Sequence, residues 1–339
     1  LPGIHLRILG TGSYLPPRKV TNAELEGMVS NYDEERAGRS FSEWAEDVTG
    51  IRERRFADGE SAEEMAQKAA LAAMESAGVD DVDLVLACSF TADRLIPNMA
   101  CTVADRIGQR GTGGYVLNTA CGGFVSGLST AYAHIKAGMC ERVLVVAAEA
   151  LSKTTSFSDP TTAIIFGDGA GAVVAGADES GGMVSPPYTA SEFSDHIALD
   201  NTGVFLPTGP ETEYVEKTYL KMPGGPRVLR RAITLMEEAA LKSLKESPWE
   251  LSDIDCMVPH QANRRITIGL AERMNVPREK VLDTIAFHGN TSGASIPLAI
   301  DAAVRGFPEA GGVSISRGDK LLLTAVGGGY SIAAAALEF

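Results

Sequence analysis

Three residues of this chain stand in turns where they could do chemistry together. Cys121 follows an apolar strand-like run and stands directly before Gly122-Gly123 and the helix-period stretch Phe124 to Ala137. A strand-to-helix turn of this kind exposes the side chain at a helix N-terminus, where unpaired N–H groups and the macrodipole favour a thiolate. The glycines let a substrate carbonyl approach the backbone, as in nucleophile elbows. Cys88, Cys101, Cys140 and Cys256 have no such setting and read as small core residues. His260 lies in Val258-Pro259-His260-Gln261-Ala262-Asn263, immediately after a buried strand, at the end where α/β proteins bind ligands. His5, His134 and His196 lack that context, and His288 reads as support for the turn beside it. Asn290 lies in Gly289-Asn290-Thr291-Ser292-Gly293, which leads into another helix. Asparagine in a glycine turn normally serves the backbone. Paired with an imidazole donor, however, its amide can hold an oxyanion or enolate without a metal.

The elements that must position these residues form an internal repeat. A helix-period run from Ala62 to Ala77 precedes the strand-like Asp83 to Leu86, as Val228 to Leu244 precedes Asp255 to Val258. Tyr115 to Leu117 then enters the Cys121 turn and a small-residue helix ending near Gly138. Lys280 to Leu282 enters the Asn290 turn and a helix ending near Gly306. Arg142 to Val146 corresponds to Asp319 to Leu323. An apolar strand feeding a turn and a helix, repeated, is the pattern of parallel α/β structure with helices on both faces of buried sheets. The expectation is two duplicated halves, 1–180 and 181–339, with Cys121 in the first, His260 and Asn290 in the second, and the two turns facing one cleft. His260 gains weight because its strand is the repeat partner of the one ending near Ser89.

At 339 residues and 45% hydrophobic, the chain can bury a large core. No run reaches the roughly 18 apolar residues of a membrane span, and the N-terminal residues lack a signal-peptide layout, so the expectation is a cytoplasmic protein with no membrane partner. A formal net charge of −14 argues against nucleic acid as a partner. Five cysteines without a C-x-x-C pair argue against a disulfide framework or a zinc site. The least regular regions, Ser30 to Phe41 and Gly181 to Pro226, read as loops or caps over the cleft.

Asn118-Thr119-Ala120-Cys121, Pro259-His260-Gln261-Ala262-Asn263, His288-Gly289-Asn290-Thr291-Ser292 and Gly327-Gly328-Gly329 occur in order, with Ile165-Phe166-Gly167-Asp168-Gly169-Ala170-Gly171-Ala172 between the first two. Together they resemble β-ketoacyl-acyl carrier protein synthase III, of the thiolase superfamily, from Leu9-Gly10-Thr11-Gly12 to Phe339. The Gly167 to Ala172 stretch lacks the Lys-Ser/Thr of a phosphate loop and reads as a tightly packed turn. The resemblance implies a thiolase-like α-β-α-β-α layering, no metal or other cofactor, and an acyltransferase working in two stages. Cys121 takes an acyl primer from a coenzyme A or carrier-protein thioester, with the oxyanion on the amides of Cys121 and Gly328. Malonyl-acyl carrier protein then loses CO₂, and His260 and Asn290 hold the enolate. Two alternatives stay open: a non-decarboxylating acyltransferase or priming enzyme of specialised metabolism, and a non-catalytic partner subunit.

The resemblance also implies a homodimer, with the loop Arg94-Leu95-Ile96-Pro97-Asn98 closing the partner's acyl pocket, and substrate contacts from Trp44, Ile96 and Asn263. Trp44 matches a tryptophan that stacks on the adenine of coenzyme A, but Val48 and Pro160 stand where cations would grip the nucleotide, and extra residues from Asn31 to Ser42 precede it. Ile96 is smaller than the phenylalanine of acetyl-specific members, and Val326 replaces another phenylalanine, so longer or branched primers are expected. Arg227, Arg230 and Arg231 fall at i, i+3, i+4, and Arg264 with Arg265 follows the histidine motif. They read either as a dock for an acidic carrier protein or as solvated helix faces.

Overall fold

The computed structural model describes residues 3–199, 219–223 and 225–339. Its strands are β1 (His5–Tyr14), β2 (Arg18–Thr21), β3 (Glu53–Phe56), β4 (Leu84–Cys88), β5 (Gly113–Leu117), β6 (Arg142–Glu149), β7 (Gly169–Asp178), β8 (Tyr188–Ser191), β9 (Cys256–Pro259), β10 (Lys320–Val326) and β11 (Ser331–Glu338). One sheet has the order β1-β7-β6-β4-β5 and a second the order β8-β11-β10-β9. Position by position the two orders correspond, with the parallel pair β6/β4 matched by β10/β9. Among the described residues the fifth place in the second sheet is held only by an isolated bridge from Met257 to Val281. There the expected strand over Lys280 to Leu282 is corrected: the short turn Arg278–Lys280 takes its first residue and Val281 alone makes the bridge. The Gly167 to Ala172 stretch is also more than a turn, because from Gly169 onward it is β7.

Alternation along the strands builds the layers. Leu84, Leu86 and Cys88 of β4 and Leu321, Leu323 and Ala325 of β10 face a central core shared with the helices Gly123–Lys136 and Ser295–Arg305. Val85 and Ala87 turn outward onto the helices Ala62–Ala77 and Met99–Arg106. Leu322 turns outward onto Gly225–Glu246 and Arg264–Met274. The result is helix, sheet, helix, sheet, helix, with the two site-bearing helices buried in the middle layer. Helix ends are fixed by chemistry written in the sequence: Gly306 caps the middle-layer helix Ser295–Arg305 at φ 68°, and Ser61 closes a capping box with Glu64 at the start of the outer helix Ala62–Ala77.

A small satellite cluster around Phe41, with Trp44 and Tyr32, covers one end of the molecule. The segment from Ser30 to Phe41 includes the short helix Glu34–Ala37. Of the Gly181 to Pro226 region, positions 200–218 and 224 lie outside the described residues. Among the described residues no helix is long and apolar enough to cross a membrane.

Candidate active site

Cys121 lies in a single tight turn, Ala120–Gly122, between β5 and the central helix Gly123–Lys136. The turn is strained, since Ala120 before the thiol has φ +47°. In the other half the turn Ser292–Ala294 precedes Ser295–Arg305, and Ser292 has φ +51°. The repeat therefore equates Ala120 with Ser292, Cys121 with Gly293, and Asn118 with Asn290. Both asparagines do the same backbone work. Asn118 Oδ1 accepts from the Ala120 amide at 3.3 Å, and Asn290 Oδ1 accepts from the Ser292 amide at 2.8 Å. The turns press together so closely that a Cβ on Gly293 would come within 3.3 Å of the Ala120 carbonyl.

This packing sets the Asn290 turn against Cys121, while His260, which is not on the cavity wall, is tied to Ser295 in the helix that follows that turn. Ser292 Oγ donates to Cys121 Sγ at 3.3 Å, one residue beyond the pair Asn290-Thr291. Asn290 is held by its backbone, its N–H reaching the Ile165 carbonyl at 2.9 Å and its carbonyl the Gly167 amide at 3.1 Å. With Oδ1 engaged, the group that Asn290 offers a ligand is its Nδ2 donor. His260 follows β9, its amide bonded to the Thr324 carbonyl at 2.8 Å, and its Nδ1 lies 2.7 Å from Ser295 Oγ. Gly327–Gly329 closes the remaining side. A Cβ on Gly327 would sit 2.7 Å from the Cys121 nitrogen and 2.8 Å from the Thr119 carbonyl, so only glycine lets this backbone approach.

Burial dominates the electrostatics. The Cys121 thiol is pushed up to about 11 by burial, although the Ser292 hydroxyl and the amides of Cys121 and Gly328 pull the other way. This corrects the expectation of a resting thiolate, because at this turn desolvation outweighs the helix N-terminus. His260 is 1% exposed, and burial lowers its imidazole to about 3, so at neutral pH it is an uncharged ring. Burial likewise lowers His288 to about 4. Glu149, at the end of β6, is fully buried and pushed up to about 8 by burial. Its carboxyl grips the Ser89 hydroxyl and the amides of Phe90 and Thr91 at the end of β4.

Cys121, Asn290, Ser292 and Gly328 open onto a cavity of about 760 Å³ with Ser89, Phe90 and Asn118 on its wall. Among the described residues no cluster of three or more His, Cys, Asp or Glu side chains is placed to hold a metal ion.

Residues 115–189 match the family described as 3-oxoacyl-[acyl-carrier-protein] synthase III, and residues 244–339 match its C-terminal counterpart. A β-ketoacyl-[acyl-carrier-protein] synthase III of Vibrio parahaemolyticus is 40% identical, with 99% of this chain and 100% of that protein aligned. The chain belongs to the β-ketoacyl-[acyl-carrier-protein] synthase III family. Its fold is that of the Aquifex aeolicus synthase III, with a TM-score of 0.86 and 34% identity over 98% of this chain and 100% of that one. It is equally that of the priming β-ketosynthase of a polyketide biosynthetic pathway, with a TM-score of 0.88 and 33% identity over 99% and 96%. The protein is thus a thiolase-fold acyltransferase of the condensing type.

The other expected site residues are more dispersed than the synthase III core. Asn263 is not on the cavity wall. It caps the helix Arg264–Met274, its Oδ1 accepting from the Arg265 amide at 2.8 Å and its Nδ2 donating to the Val48 carbonyl at 3.0 Å. Trp44 lies in the helix Phe41–Thr49 with Tyr32 against it, ring centroids 5.2 Å apart, and Phe41 at 5.8 Å. Ile96 is 90% exposed and Leu95 78%, on a loop that borders the cavity through Arg94, Leu95 and Asn98.

The arginines divide. Arg231 pairs with Glu192, and Arg264 pairs with Asp283 at 3.3 Å. Arg265 donates to the Asp47 carbonyl at 3.0 Å and pairs with its carboxylate at 3.6 Å, while Arg227 and Arg230 are exposed. Ile233 lies against Gly269, and Glu237 pairs with Arg273. The two helices therefore run parallel, and the same offset puts Arg265 at the end that carries Arg227 and Arg230.

Sequence reading missed Ser292, Ser295, Glu149 and Asn118. Asn118 had a signal: Asn-Thr recurs at both turns, which aligns Asn118 rather than Cys121 with Asn290.

Proposed function

We propose that this chain takes an acyl primer onto Cys121 and condenses it with malonyl-acyl carrier protein, releasing CO₂ and a β-ketoacyl thioester two carbons longer. In the first half-reaction Cys121 Sγ attacks the primer thioester, the amides of Cys121 and Gly328 receive the carbonyl oxygen, and the thiol proton leaves with the departing thiol. In the second, the malonyl C–C bond breaks and its electrons form an enolate. Its oxygen takes hydrogen bonds from His260 and Asn290 Nδ2 before its carbon attacks the acyl-cysteine, breaking the C–S bond and releasing the Cys121 thiolate, which regains its proton from water. The observation that carries this reading is the neutral donor pair. An uncharged imidazole and an amide whose oxygen is already engaged stabilise developing negative charge without competing for a proton. The likeness to a priming β-ketosynthase supports the same chemistry at the start of a specialised pathway.

The cavity favours a primer larger than acetyl. Its volume of about 760 Å³ is walled by Phe90, Val116, Ile197, Leu199, Leu220 and Met222. The exposed Leu95 and Ile96, with β5 as an open sheet edge, support a homodimer in which Ile96 enters the partner's pocket. Acyl-enzyme formation measured by intact mass should therefore favour four- and five-carbon primers over acetyl, and Ile96→Trp should reverse that order by roughly tenfold. A sharp acetyl preference in the unmodified protein sinks the reading. Tyr32 packed against Trp44, with Val48 and, in a separate loop, Pro160 standing where the resembled family carries cations, supports a donor carried by protein rather than by coenzyme A.

Arg227, Arg230 and Arg265 form the basic dock on this reading, in a chain whose net charge would otherwise repel an acidic carrier. Reversing all three to glutamate should raise KM for malonyl-acyl carrier protein by about tenfold or more at low salt, with kcat little changed. An equal rise for malonyl-pantetheine, which has no protein surface, counts against docking.

A further inference from the structure

Ser295 opens the central helix Ser295–Arg305 and is 2% exposed. Its hydroxyl touches two groups. The Gln261 amide donates to Oγ at 3.3 Å, and His260 Nδ1 lies 2.7 Å away. An amide N–H can only donate, so the Gln261 contact occupies a lone pair of the oxygen and leaves its proton to be placed. A buried hydroxyl does not leave that proton unpaired without cost. Among the described residues, the acceptor within hydrogen-bond distance is the imidazole Nδ1. We propose that Ser295 is a positioning residue for the reaction, donating its Oγ–H to Nδ1 and so fixing His260 as the tautomer that carries its proton on Nε2. The proposal rests on the reading of His260 as a donor to the enolate and deepens it.

Two further observations agree. Burial holds the ring neutral, so it carries one proton, and the choice of nitrogen decides whether the reacting face offers a donor or a lone pair. Among the described residues His260 Nε2 has no hydrogen-bond partner, and it is not among their sealed, unpaired buried atoms, which include His288 Nδ1. The ring is therefore held at one nitrogen and open at the other. Gln261 keeps the serine in place by a second route, its side chain tying the Pro259 carbonyl at 2.7 Å and the Leu282 carbonyl at 3.1 Å. Without the Ser295 hydroxyl nothing opposes protonation of Nδ1, and part of the population would turn a lone pair toward the enolate oxygen.

The test is nitrogen NMR on full-length protein labelled with ¹⁵N-histidine, with the His260 signals identified by their loss in His260→Gln. In the unmodified protein they should report a proton on Nε2 and none on Nδ1, with no titration between pH 5 and 8. Ser295→Ala should give a mixed or reversed tautomer and lower the malonyl decarboxylation rate by about 10- to 100-fold, while Cys121 still takes up primer. Ser295→Thr, which keeps the hydroxyl, should restore the Nε2–H signal. A proton on Nδ1 in the unmodified protein overturns the proposal, as does an unchanged tautomer in Ser295→Ala. Should that variant fail to fold, the unmodified spectrum still decides. If His260→Ala decarboxylates at full rate, it is the donor role of His260 that falls, and the tautomer assignment stands or falls separately on the spectra.

Discussion

Cys121→Ala should take up no primer from any donor, and condensation should fall by at least about a thousandfold, because no other thiol reaches the cavity. Cys88 and Cys256 are buried in the core, and the walls of the cavity carry Cys121 alone of the five. The malonyl half-reaction has different requirements, since its donors come from His260 and Asn290, so Cys121→Ala should still release CO₂ from malonyl-acyl carrier protein without forming product. Intact mass for the first result and CO₂ release for the second separate a condensing enzyme from a non-catalytic subunit, which would show neither activity. The raised thiol adds a pH signature. With the free thiol held at about 11, the thiolate fraction rises about tenfold per pH unit across neutrality, so alkylation of the resting enzyme by iodoacetamide should climb with unit slope from pH 7 to 9. A plateau near pH 7 would mean that the helix N-terminus, not burial, sets the thiol.

The legible part of this molecule was whatever depends on periodicity and turn chemistry. The helix over Ala62 to Ala77 follows from its capping box and apolar spacing, and β4, β6, β9 and β10 follow from short apolar runs at matching places. The repeat was legible because strand, turn and helix recur in order, and it located the cleft. It could not supply the residue-level register, which depends on backbone strain: Ala120 and Ser292 share a positive φ that no composition rule assigns to alanine or serine. The strand expected at Lys280 to Leu282 failed because an edge position in the second sheet needs only one bridge to hold it.

Supporting polar residues were illegible for another reason. Ser292, Ser295 and Glu149 act through contacts across 171, 35 and 58 residues of chain, to Cys121, His260 and Thr91 respectively. Serine in a helix's first turn is ordinary in isolation, and its partner exists only after the halves pack. The same holds for the thiol: a helix N-terminus is visible in sequence, but the desolvation that overrides it is a property of the assembled core.

His260→Ala and Asn290→Ala should each lower decarboxylation and condensation by about 10²–10³-fold, the usual cost of removing one preorganised donor from developing negative charge. Primer uptake by Cys121 should persist in both, because its oxyanion donors are main-chain amides of Cys121 and Gly328. The two variants should nevertheless differ in character. Asn290 also ties the Ser292 amide at 2.8 Å, and Ser292 holds the sulfur, so Asn290→Ala loosens the thiol's surroundings and should slow acylation modestly. Asn290→Asp keeps the turn's acceptor but replaces the Nδ2 donor with a second oxygen, so it should acylate well and decarboxylate as poorly as alanine. Among the described residues the ring of His260 hydrogen-bonds to Ser295 and not to the cysteine, and its loss should leave acylation intact. Because both donors act on one enolate oxygen, the double variant should lose less than the product of the single losses. Equal damage to both half-reactions in His260→Ala would place the histidine at the thiol instead, as the base that removes its proton, a task that a ring pushed down to about 3 is poorly suited to perform.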